Sequence, residues 1–117
     1  MYNLAQKQNQ LDSRIQKILA LCASAVKGLY PDARIILYGS QARGQATELS
    51  DLDLLVILNE ELSGSLKNTI HDKLYEIGLQ NDIFVSTVIK NNTMWEQPIF
   101  RATALYDSIQ NEGILLV

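Results

Sequence analysis

The chain has 117 residues, 47% of them hydrophobic, a formal net charge of −3 and one cysteine. That length suits a single domain with one core over residues 1–117, with residues 1–10 a candidate flexible N-terminal segment. Ten scattered Lys and Arg exclude the basic footprint of a protein that wraps nucleic acid, one cysteine excludes an internal disulfide, and no apolar run approaches the roughly 20 residues of a helical membrane span.

Met1 to Gln10 lacks the apolar core of a secretory signal, so a cytoplasmic placement is expected. Leu11, Ile15, Ile18, Leu19, Cys22, Val26 and Leu29 then recur at helical spacing and predict a first helix from about 11 to 29. Tyr30-Pro31-Asp32 stops it. Residues 34–38 read as a buried strand, residues 39–50 as a loop holding a short helix, and Leu54 to Leu58 as a second strand opened by Asp51-Leu52-Asp53. Leu66, Ile70, Leu74 and Ile77 predict a second amphipathic helix, and Asp82 to Ile89 a third strand. Pro98 suits the first turn of a final helix whose buried side is Ile99, Ala102, Leu105, Tyr106 and Ile109, ended by Gly113. The order predicts an α/β fold: a small mixed β-sheet with helices packed on one face and an acidic face left to substrate.

The chemistry concentrates at the strand ends. Alternation sends Asp51 and Asp53 to one face while Leu52 and Leu54 enter the other. Two carboxylates side by side at a core edge repel each other, and desolvation worsens the repulsion. A hard divalent cation such as Mg²⁺ relieves it and leaves positions open for waters and phosphates. Gly39-Ser40, at the end of the first strand, adds a glycine that lets backbone N–H groups approach a phosphate and a hydroxyl donor; Arg43 adds a nearby cation.

Residues 37–56, LYGSQARGQATELSDLDLLV, carry glycine-serine, a ten-residue gap and D-x-D. This pattern resembles the DNA polymerase β-like nucleotidyltransferase superfamily, in particular its minimal nucleotidyltransferase branch, and the likeness runs from about residue 11 to the C-terminus. The resemblance implies a polymerase β-like palm fold and a third acidic residue at the start of a later strand, a role that Asp82 fits. It implies two Mg²⁺ ions on Asp51, Asp53 and Asp82, Gly39, Ser40 and Arg43 on the phosphates, and ATP as substrate. It also implies a partner: minimal nucleotidyltransferases pair with HEPN-type toxins as antitoxins, some by moving AMP onto a toxin tyrosine, so a hetero-oligomer is expected. A competing reading keeps the fold as a non-catalytic binding module that neutralises a partner by contact alone.

Other residues read more plainly. Cys22 lies on the apolar stripe and suits burial as a small hydrophobe. His71 has no second histidine to form a site with. Trp95, Tyr75 and Tyr106 suit core or interface anchoring, since no basic residues interleave them. A calcium loop beginning at Asp51 is excluded by Val56 and Leu62 at its sixth and twelfth positions.

Overall fold

The computed structural model describes residues 1–47 and 49–117. Among these, β1 (Tyr2–Asn3), β2 (Arg34–Tyr38), β3 (Leu52–Leu58), β4 (Val85–Asn91) and β5 (Ile114–Leu115) form one sheet in the order β1-β5-β2-β3-β4. The sheet is mixed: β2 runs antiparallel to β3 and β5, whereas β3 pairs with β4, and β1 with β5, in parallel. Residues 1–10, expected as a flexible segment, supply β1, the short helix α1 (Leu4–Lys7) and a 3-10 turn. Tyr2 pairs with Ile114, so the two ends of the chain meet in the sheet.

Two long helices, α2 (Ser13–Leu29) and α4 (Gly64–Gln80), cover one face. Each begins on a side-chain cap that satisfies an otherwise orphan N–H: Asp12 accepts from the Ile15 N–H at 2.8 Å and Ser63 from the Leu66 N–H at 3.1 Å. Ile15, Ile18, Leu19, Cys22 and Val26 of α2 and Ile70 and Leu74 of α4 pack onto Leu52, Leu54, Val56 and Leu58 of β3. Each such side chain contributes roughly 1.5–3 kcal/mol by leaving water.

The long helices thus lie on one face, as expected, but the opposite face is not bare. After the short helix α3 (Gly39–Ala42), the C-terminal segment adds α5 (Asn92–Trp95), α6 (Pro98–Arg101) and α7 (Ala104–Glu112). Trp95 and Ile109 pack there against Ile36, Leu55 and Ile57, and the Trp95 and Tyr106 rings lie 5.0 Å apart. Burial from both sides explains the unbroken apolar run Leu54–Leu58. The cover gives out at Asp53, which is only half-buried.

Three expectations about the elements are corrected, the first being that Ile99 and Ala102, expected on the buried side of the final helix, are exposed. The predicted final helix is broken at Thr103, whose hydroxyl accepts from the Tyr106 N–H at 3.2 Å and so starts α7 afresh. The third strand begins at Val85 rather than Asp82, because Asp82 sits at φ +55, outside the extended region a strand requires. Among the described residues no helix is long and apolar enough to cross a membrane.

Candidate active site

β2 ends at Tyr38, whose register partner on β3 is Asp53. The chain then turns through Gly39 at φ +76, a left-handed conformation that costs any residue with a Cβ. Space adds a second constraint, since a Cβ on Gly39 would stand 2.3 Å from Asp53 Oδ2. Gly39 is therefore required by the packing of the carboxylate against the turn. Ser40, next in α3, is half-buried on that turn.

Across the face, Asp53 lies between Tyr38 on β2 and Ser86 on β4. Burial, and then the charge of Asp51, push the Asp53 carboxyl above its ordinary range, while Arg43 pulls the other way. The Tyr38 phenol is pushed up too, by burial first and then by the charge of Asp53. Asp51, one residue before β3, is exposed. The structure therefore brings Asp51, Asp53, Gly39, Ser40 and Arg43 to one end of β2 and β3. A pair of carboxylates, one half-buried and biased toward taking up a proton, is a donor set that a hard divalent cation relieves; the residues present fit one.

Asp82 is not part of this group. It occupies the turn between α4 and β4, where Arg14 donates to the carbonyls of Asn81 at 2.5 Å and Asp82 at 3.2 Å. The β4 residue in register with Asp53 is Ser86, four positions further on. Among the described residues no three His, Cys, Asp or Glu side chains converge as a metal-holding set. Asp82 instead lines an open cleft of about 1040 Å³ with Asp12, Arg14, Gln41, Thr47 and Ser50. The cleft reaches Ser50, the residue before Asp51.

Arg43 is held. Its Nη1 donates to Glu112 Oε1 at 3.1 Å and its Nε to Gln45 Oε1 at 3.2 Å. Sequence reasoning missed Ser86, Gln41 and Glu112. Nothing local marks Ser86 or Gln41; Glu112 does carry a signal, an acid in the last turn of a helix, where the helix dipole disfavours it. His71 is exposed, Tyr75 is exposed rather than a core anchor, and Cys22 is buried with its thiol pushed up to about 11 by desolvation.

Comparison with known proteins gives the family. A family model described as the nucleotidyltransferase domain matches residues 19–116. A chain of Methanocaldococcus jannaschii, provisionally named a protein adenylyltransferase, is 32% identical over 81 residues, covering 69% of this chain and 75% of that one. A crystal structure of the Cid1 poly(U) polymerase with bound MgGTP is similar over 60% of this chain and 22% of that one, with 24% identity and a TM-score of 0.43. This chain spans about a fifth of that polymerase's length.

Proposed function

The chain belongs to the nucleotidyltransferase family, and on that premise we propose that it moves AMP from ATP onto a hydroxyl of a partner protein. The observation that carries the reading is the packing of Asp53, paired with Asp51, against the Gly39 turn. Adenylyl transfer to a protein is the activity for which the M. jannaschii relative is provisionally named.

The chemistry and position of each residue support a role for it in this reading. The Ser40 hydroxyl and the Arg43 guanidinium bind the triphosphate and offset the charge that develops on the departing pyrophosphate. Asp51 and Asp53 would hold Mg²⁺, which when bound neutralises phosphate charge and favours attack at the α-phosphorus. The carboxylates orient that end of the nucleotide over the sheet. The acceptor oxygen bonds to the α-phosphorus as the bond to pyrophosphate breaks, and the proton of the acceptor hydroxyl leaves to solvent at the open strand end.

The acceptor in this reading is a HEPN-type toxin, bound as a hetero-oligomer in the cytoplasm, with the chain as its antitoxin; this part follows from the family resemblance of residues 37–56. Incubation with Mg²⁺, labelled ATP and the protein encoded beside it tests the proposal. Label should appear on the neighbour and vanish with Asp53→Ala. A second reading, neutralisation by contact alone, is favoured by one observation: no third carboxylate joins the pair among the described residues. Inhibition of the partner that survives Asp53→Ala without transferred label would decide for it.

A further inference from the structure

We propose that Glu112 is a positioning residue that holds Arg43 in place for the triphosphate, so that the C-terminal helix forms part of the nucleotide site. The inference rests on the nucleotidyl-transfer reading of the Gly39 turn.

A long arginine on the surface samples many rotamers, and a cation must be held still to meet a phosphate without a large entropic cost. Arg43 has the requisite anchors. Its side chain is 43% exposed, yet Nη1 meets Glu112 Oε1 at 3.1 Å and Nε meets Gln45. Among the described residues its Nη2 makes no hydrogen bond, so an edge of the guanidinium remains for a ligand oxygen.

The anchor itself is fixed by the fold. Glu112 is the last residue of α7 and its side chain is only 21% exposed. The next residue, Gly113, donates to the Ile109 carbonyl at 2.9 Å, and its carbonyl accepts from the Tyr2 N–H at 2.8 Å. A Cβ there would meet the Ile109 carbonyl oxygen at 2.5 Å and Ile36 Cγ2 at 3.0 Å, so the helix end is pressed onto β2, the strand that leads into Gly39. The Ile114–Leu115 strand then pairs with Ile36 and Leu37. A carboxylate at this end of a helix works against the helix dipole, and a half-exposed ion pair repays little in stability. Its placement is accounted for by what it does to Arg43, across 69 positions of sequence. A locally unfavourable residue of this kind is characteristic of a functional site.

The test compares wild type, Glu112→Gln, Glu112→Ala, Arg43→Ala and the double alanine variant, using fluorescent triphosphate binding, steady-state kinetics and thermal melting. Glu112→Ala should weaken triphosphate binding and raise KM by roughly fivefold, as expected when one member of a contacting pair is removed, with kcat and melting temperature little changed. Glu112→Gln, which keeps an acceptor oxygen, should recover part of the loss. In the Arg43→Ala background the Glu112 change should add nothing. Unchanged binding in Glu112→Ala, or losses that simply add in the double variant, would overturn the inference while leaving the transferase reading intact. A wild-type protein that binds no triphosphate would overturn both.

Discussion

Asp53 Oδ2 occupies the space that a Cβ on Gly39 would require. The carboxylate that pairs with Asp51 and the turn that carries Ser40 are thus one packed unit. A change in either must move the other.

Gly39→Ala should accordingly lose both stability and activity. Left-handed φ alone costs a residue with a Cβ about 1–2 kcal/mol, and displacing the Asp53 carboxylate by about an ångström should cost roughly a hundredfold in rate. Thermal melting and turnover of the same preparation check this. Wild-type turnover in the alanine variant would show that the contact has no catalytic consequence.

Asp53 also makes the metal-free protein sensitive to pH. Its folded-state carboxyl takes up a proton more readily than the ordinary value of 3.8 implies, because of burial first and the Asp51 charge second. The stability it contributes is therefore fully present below that value and is lost as pH rises through the higher folded-state value. In chelator, Asp53→Asn should melt above wild type at pH 7, and the gap should close as pH falls below the ordinary carboxylate range. Added Mg²⁺ should raise the melting temperature of wild type and leave the variant unmoved.

Asp82 lies on the turn before β4 and out of register with Asp53, which predicts unequal roles for the two. Asparagine tolerates a positive φ, so Asp82→Asn keeps the turn and removes only the charge. Its turnover should stay within about twofold of wild type, as for a surface substitution, whereas Asp53→Asn should fall by at least about a hundredfold. Equal losses in the two variants would place Asp82 among the catalytic carboxylates after all.

Cys22 is fully buried and its thiol is pushed up to about 11 by desolvation. A thiol reagent at pH 8 should leave the native protein unlabelled and modify one equivalent on denaturation. Rapid labelling of the native state would mean that α2 opens from the sheet far more readily than its packing indicates.

Much of this protein is determined by near neighbours in the chain. The runs Ile35–Leu37 and Leu54–Leu58, the stripe from Leu11 to Val26 and the Gly39-Ser40 turn are expressed through backbone dihedrals and the side-chain periods of 2 and 3.6, so residues alone placed β2, β3, α2 and α4 and set Asp51 and Asp53 at a strand end. What lies beyond reach of such patterns is pairing between distant segments. Tyr2 beside Ile114, Ser86 rather than Asp82 beside Asp53, and Glu112 on Arg43 depend on register and on helix packing, which no local propensity encodes. Two-residue strands carry no readable period, and a turn residue at positive φ looks in sequence like the start of the strand that follows. The carboxylate pair was legible because Asp53 lies at the start of β3 and Asp51 only two residues earlier in the chain; their surroundings were set only when the sheet closed around them.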